Sequence, residues 1–187
     1  MILALLTSLS LAQDSATSEV NLPRPLAGRP ILDLRLGADT VSALDAPIVC
    51  MEGYPLAWLS VEACGTGANV WHQPTGPEMS HYRTRIRAMH ARDGRMEAEL
   101  LPGIGFSEVQ VGPDAPGFLF GRPRTEDQVE AAGAEASLSG KIRYWTGKTY
   151  VVVDVNAGAA IVPAAPVVTG ATGPLLGFGG ITVGAGF

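Results

Sequence analysis

Apolar and polar residues alternate along most of the chain after about residue 30. A period of two places successive side chains on opposite faces of a strand. In PILDLRLGAD, Leu32, Leu34, Leu36 and Ala38 share one face, and Asp33, Arg35 and Gly37 the other. In HYRTRIRAMHA, Tyr82, Thr84, Ile86 and Ala88 oppose Arg83, Arg85 and Arg87. In SLSGKIRYW, Leu138, Gly140, Ile142 and Tyr144 oppose Ser139, Lys141 and Arg143. In YVVVDVNAGAAIV, Val151, Val153, Val155, Ala157, Ala159 and Ile161 oppose Val152, Asp154, Asn156 and Gly158. At the end of the chain Ile181, Val183, Ala185 and Phe187 oppose Thr182, Gly184 and Gly186. The pattern predicts eight strands, at about 30–38, 46–53, 57–68, 80–91, 96–111, 135–145, 149–162 and 175–187. One stretch, TEDQVEAAGAEA at 125–136, has the character of a short loop helix. No internal repeat and no linker divides the chain.

The connections carry a second pattern. GYPL, RDGR and TGK form tight turns between strands two and three, four and five, and six and seven. The remaining connections, DTVSALD, NVWHQPTGPEM, GPDAPGFLFGRPRTEDQVEAAG and PAAPVVTGATGP, are longer. Short and long alternate, so every short turn falls at one end of the sheet. Transmembrane barrels of the bacterial outer membrane have short periplasmic turns, long external loops and an even strand number. The expected fold is therefore all-β, an eight-stranded antiparallel up-and-down transmembrane β-barrel.

Composition sharpens this expectation. The 187 residues are 47% hydrophobic and 17% charged, with 23 Gly and 14 Pro. Charged residues make up about 25% of an average protein, so the shortfall fits a chain whose outer surface meets lipid. A net charge of −5 argues against a nucleic-acid partner. The opening MILALLTSLSLAQDS has the apolar run and the small-x-small pattern (Ser10, Ala12) of a secretory signal, with cleavage after Ala12. Residues 13–29 read as a flexible periplasmic leader and 30–187 as the barrel domain. No stretch reaches 18 apolar residues, so a transmembrane helix is not expected.

A soluble barrel turns its apolar face inward, and a membrane barrel inverts this. The polar faces hold Asp33, Arg35, Glu62, Arg83, Arg85, Arg87, Glu97, Glu99, Lys141, Arg143 and Asp154. This set is nearly balanced in charge, as a lumen packed with ion pairs requires. Arg83, Arg85 and Arg87 are expected to pair with Glu97 and Glu99 on the next strand, where opposite charges attract. The apolar faces are rich in Gly, Ala, Val and Leu and would fill a soluble core poorly. Tyr54, Trp71, Tyr82, Tyr144 and Phe187 lie near strand ends, where aromatic girdles form.

The ending GFGGITVGAGF resembles the C-terminal strand of outer-membrane β-barrel proteins. In those families a final aromatic preceded by alternating apolar residues is read by the barrel-assembly machinery. Phe187 matches the aromatic, and Ala185, Val183 and Ile181 match the apolar positions. Ala185 stands where a larger residue is common, and Gly180 where a polar one is. With seven strands upstream and a signal peptide, the chain resembles the small barrels of the OmpA, OmpX and OmpW type over about residues 30–187. The resemblance implies the bacterial outer membrane as location, with outer-membrane lipid and the assembly machinery as partners.

The candidate chemistry is sparse. His72, His81 and His90 are spaced nine apart, but along a strand His81 and His90 would stand about 30 Å apart, too far to share a metal. Ser80 and His81 adjoin and so face opposite ways, which assembles no hydrolytic triad. No metal, cofactor or catalytic residue is expected. Cys50 and Cys64 share one strand face and stand opposite each other if the hairpin turns near residue 57, so they can bond in an oxidising compartment. Phe118, Leu119 and Phe120 in the 112–134 loop either meet the outer leaflet or a partner, or fold onto the rim. The expected function is a non-catalytic barrel, structural or surface-binding through its long loops. The alternatives are a soluble secreted barrel binding an apolar ligand and a lipid-modifying outer-membrane enzyme.

Overall fold

The computed structural model describes residues 30–42, 47–67, 76–112, 118–123 and 129–187. Nine strand segments follow in order: β1 (Leu32–Asp39), β2 (Ile48–Leu56), β3 (Leu59–Gly65), β4 (Glu78–Ile86), β5 (Met89–Asp93), β6 (Met96–Gln110), β7 (Glu130–Trp145), β8 (Tyr150–Ile161) and β9 (Leu175–Gly186). Neighbours pair antiparallel in the circuit β1–β2–β3–β4–β6–β7–β8–β9, and β9 returns to β1 with Leu36 opposite Val183. This is a closed barrel of eight staves, because β4 and β5 are two halves of one. Arg85 pairs with Gly103 and Met89 with Leu100, four steps against three. One extra residue therefore sits in the interrupted stave, a bulge that flips its parity. Arg83 and Arg85 point inward before the bulge, whereas His90 and Arg92 lie on the lumen face after it, opposite Glu99 and Glu97.

All short turns lie at one end, together with the chain ends of β1 and β9. Ala57 and Trp58 join β2 to β3, Gly94 and Arg95 join β5 to β6, and residues 146–149 join β7 to β8. The backbone of Ile31 donates to the Phe187 carbonyl at 2.7 Å, and that of Tyr54 to Ile31 at 2.9 Å. The long connections occupy the other end. The last of them holds α1 (Ala165–Thr169), the single helix among the described residues, ended by Gly170 at φ 70°. Residues 130–136, expected within a short helix, instead open β7. Their pairing with β6, from Ile104↔Ala136 to Gln110↔Glu130, overrides the helical composition.

Over most of the barrel wall the apolar residues face outward. Leu34, Leu36, Val61, Ile104, Leu138, Val155, Ile181 and Val183 are half exposed or more, whereas Asp33, Arg35, Glu52, Glu62, Arg85, Lys141, Arg143 and Asp154 are at most 1% exposed. Glycines on the inner face make room for this interior. A Cβ at Gly184 would stand 2.8 Å from Cγ of Arg35 and 1.9 Å from the Leu34 carbonyl. At Gly186 it would strike the Tyr150 hydroxyl at 2.4 Å. Gly184 and Gly186 are thus required by the β1 backbone and by the Arg35 and Tyr150 side chains that lie across them.

Cys50 and Cys64 are direct partners across β2 and β3 and form a disulfide on the lumen side beside Ile48. The cross-link closes a span of 14 residues. Replacing both cysteines with serine is expected to cost about 2 kcal/mol, the low end for such a loop, because residual hairpin structure in the denatured chain already brings them near. A urea titration of the refolded protein with and without reductant checks this; equal midpoints would show that the bond holds nothing.

Candidate functional site

The lumen is the chemically distinctive part of the molecule, and it is layered. At its centre Arg35 reaches Asp33 at 3.0 Å, Glu52 at 2.7 Å and Asp154 at 2.7 Å, and also bonds Glu62. Arg85 reaches Asp154 at 2.8 Å and Glu62 at 2.6 Å. Lys141 bonds Glu52 and donates to the Tyr54 hydroxyl at 2.7 Å. That hydroxyl also accepts from Arg143 at 2.7 Å and donates to Asp33 at 2.8 Å. Toward the short-turn end Arg143 binds Glu99 at 2.6 Å, Arg87 binds the same carboxylate at 2.5 Å, and the Trp145 indole donates to Glu97 at 2.8 Å. Toward the long-loop end Arg83 reaches Glu62 at 2.7 Å and Glu135 at 3.5 Å.

Among the described residues the network joins six cations (Arg35, Arg83, Arg85, Arg87, Lys141 and Arg143) to seven carboxylates (Asp33, Glu52, Glu62, Glu97, Glu99, Glu135 and Asp154). His81 supplies a further partner, with Nδ1 2.7 Å from Glu135. Near-balance matters physically. A buried charge without its partner costs several kcal/mol, while a matched, hydrogen-bonded set does not.

The Arg ladder divides differently from its expected pairing. Arg87 alone reaches Glu97 and Glu99, at 3.8 and 2.5 Å. Arg83 and Arg85 stand opposite Gly105 and Gly103 on β6, and turn instead to Glu62 and Asp154. The tight turn at Gly94 and Arg95 sets Glu97 and Glu99 opposite Arg92 and His90, too far down the stave for Arg83 and Arg85 to reach. Glu52 and Glu135 complete the network. The first belongs to an alternation (Cys50, Glu52, Tyr54) visible in the sequence, and the second sat in the stretch read as a helix. Tyr54, expected in an outer girdle, points into the lumen for the same reason as Glu52.

Above the ions the long-loop end is closed by an apolar plug. Met79, Val109, Ala131, Ala160, Val162, Ala165, Val168 and Phe178 form one buried cluster, with α1 seated against β6 and β7. His81 lies at the boundary, its ring 4.5 Å from that of Phe178. The Ser107 hydroxyl stands 3.2 Å from His81 Nδ1 and also bonds Glu135. A nucleophilic relay needs the acid and the hydroxyl on opposite ring nitrogens. Here both serve Nδ1, and all three residues are buried. The arrangement fixes a histidine; it does not activate a serine.

Three groups of side chains among the described residues have metal-like convergence, and in one, Cys50, Glu62 and Cys64, both thiols are taken by the disulfide. Glu52, Glu62 and Asp154 approach within 4.8 Å of one another, and Arg35, Arg85 and Lys141 meet their charge. His90 joins Glu97 and Glu99 at the short-turn rim, 3.0 Å from Glu97, where Arg87 and Arg143 already bind both carboxylates. His72 and Trp71 lie outside the described residues.

The outer wall holds the remaining expected features. Ile181, Val183, Ala185 and Phe187 line the seam, opposite Val155, Val153 and Val151 of β8 and Ala38, Leu36 and Leu34 of β1. Phe118 and Phe120 fold back onto the wall, where their rings meet Phe106 at 4.9 and 5.4 Å and Phe106 stacks on Tyr82 at 5.0 Å. The Ala132 amide donates to the Leu119 carbonyl at 2.8 Å, which ties this segment to β7. Comparisons with protein-family models, curated proteins and solved structures found no match for the chain.

Proposed function

We propose that the chain is an integral barrel of the bacterial outer membrane, non-catalytic, with a structural or surface-binding role carried by its long loops. One observation carries the reading: ionic groups fill the interior while apolar side chains cover most of the outer wall. In water such a wall would expose far more contiguous apolar surface than a soluble monomer tolerates. In a bilayer it is the ordinary lipid-facing surface, and the closed circuit leaves no sheet edge unpaired in the hydrocarbon. The soluble alternative needs an apolar interior for its ligand, and the space is taken by Arg35, Arg85, Lys141 and their carboxylates. On this reading the short turns face the periplasm, and β9 with Phe187 presents the signal read by the assembly machinery.

The ion-filled centre and the apolar plug argue against a wide pore. Binding would then fall to the long-loop end. Fractionation of cells making the protein, with boiled and unboiled gel samples side by side, tests the proposal. Sedimentation with the outer membrane and a boiling-dependent mobility shift are expected. A soluble protein of constant mobility would refute it.

A further inference from the structure

Among the described residues four lysines and arginines lie outside the lumen network: Arg92, Arg95, Arg122 and Lys148. Three of them share one stretch of the short-turn rim. Arg92 and Arg95 flank Asp93 and Gly94 at the turn from β5 to β6. Lys148 lies in the turn from β7 to β8, and the two turns adjoin where the Trp145 amide donates to the Arg95 carbonyl at 2.9 Å. All three cations are exposed, and none forms an ion pair among the described residues, in contrast to the cations of the lumen. Arg92 is held in place, with its guanidinium over the Trp145 ring at 5.7 Å and its Nε donating to the Gly94 carbonyl at 3.3 Å. Asp93 is the one carboxylate side chain on these two turns, so the positive charge is in excess. Such a rim attracts phosphate, which arginine and lysine both bind.

Beside this rim the outer wall is hollowed. Ala91 on β5 and Ala98 on β6 are direct partners, and both are exposed. Larger residues stand around them: Met89 and Leu100 toward the middle of the barrel, Met96 toward the rim, and Ile142 alongside on β7. Two apolar grooves, of about 350 and 230 Å³, meet at the two alanines. The one nearer the rim is lined also by Arg92 and Asp93. From Leu100 to Met96 the hollow runs four residue steps, about 13 Å at 3.3 Å per residue. That is close to half of a lipid-facing band about 25 Å tall, the depth of one leaflet. An apolar trough of that depth, ending at unpaired cations, matches a phospholipid. The acyl chain lies along Ala91 and Ala98, and the phosphate meets Arg92, Arg95 and Lys148. Asp93 then selects the head: it accepts from hydroxyl groups, whereas a choline head offers it no donor and adds a positive charge among three others.

Resting on the membrane reading, we infer that the β5–β7 wall and its rim hold an anionic phospholipid with a hydroxyl-bearing head, drawn from the periplasmic leaflet. The test is native mass spectrometry of the full chain, folded in detergent micelles, with phosphatidylglycerol or phosphatidylcholine of the same chains added. Phosphatidylglycerol should be retained about tenfold more tightly than phosphatidylcholine. Joint replacement Arg95→Ala and Lys148→Ala should weaken its binding about tenfold or more, the effect of removing two cations near an anionic head. Ala98→Phe, which fills the groove, should weaken it to a similar degree. Arg122→Ala at the long-loop end should leave it unchanged. Glycerol phosphate, a head without chains, should not be retained. Both rim residues are exposed on turns, so their double variant decides should Ala98→Phe fail to fold. Equal retention of the two phospholipids would overturn the inference, as would indifference to the rim and groove variants, or glycerol phosphate held as tightly as the lipid. The boiling-dependent mobility shift of the same samples reports the membrane reading separately, so with the shift present these outcomes overturn the lipid site alone.

Discussion

Arg85→Ala is expected to cost the barrel about 3–5 kcal/mol, the range for removing one partner of a buried ion pair. The guanidinium is wholly buried and bonds Asp154 at 2.8 Å and Glu62 at 2.6 Å, with Glu52 at 3.4 Å. These acids come from β8, β3 and β2, so one side chain on β4 links four staves across the lumen. Its loss leaves three converging carboxylates to Arg35, Lys141 and, at Glu62 only, Arg83. Such a deficit exceeds half of the roughly 5–15 kcal/mol that holds an ordinary domain together at its lower end. The measurement is a urea titration of refolded protein in micelles, read by the mobility of unboiled samples. Arg122→Ala, at an exposed site, should leave the midpoint in place. Adding Glu62→Gln to Arg85→Ala should recover part of the loss, because it removes a carboxylate left in excess. An unchanged midpoint in Arg85→Ala would mean that the lumen network does not hold the staves together.

The same network shows how far the sequence could be read. Alternation within a strand is a local property, and it placed Asp33, Arg35, Arg85, Lys141, Arg143 and Asp154 on one face before any fold was known. The alternation of long and short connections then gave the circuit of staves. Cross-barrel partners are a different matter. Arg85 and Asp154 are separated by 69 residues and meet only because the barrel is narrow. Their pairing depends on registers that a single bulge at residues 86–88 shifts by one. Glu135 was hidden by a stretch of Ala and Gly whose composition reads as helix, although its tertiary neighbours on β6 and β8 impose a strand. The plug was hidden for a related reason. Ala164, Ala165 and Val168 have no periodic signature in so short a helix, and become a core only where the barrel mouth closes over them. Direction was the last ambiguity, since a two-sided pattern does not say which side is inside; glycines at 184 and 186, too crowded to carry a side chain, mark the inner face.

Val155→Arg is expected to separate a lipid-facing wall from a solvent-facing one. Val155 lies near the middle of β8, between Gly140 on β7 and Ile181 on β9, and is 53% exposed. A half-exposed residue on a surface bathed in water tolerates substitution within about 0.5 kcal/mol. On the lipid face of a barrel an arginine at the midplane costs about 2–4 kcal/mol, and the penalty falls to about 0–1 near the interfaces. Depth therefore makes the distinction sharper than a single variant could. Val151→Arg lies next to the short-turn end and Ile161→Arg at the long-loop end, with Val155 between them on the same outward face. Titration with urea in phosphatidylcholine vesicles should give a cost that peaks at Val155 and falls at both ends. Side-chain packing cannot mimic that profile, because all three positions are about equally exposed, at 48, 53 and 59%. Three equal small costs would place this wall in water.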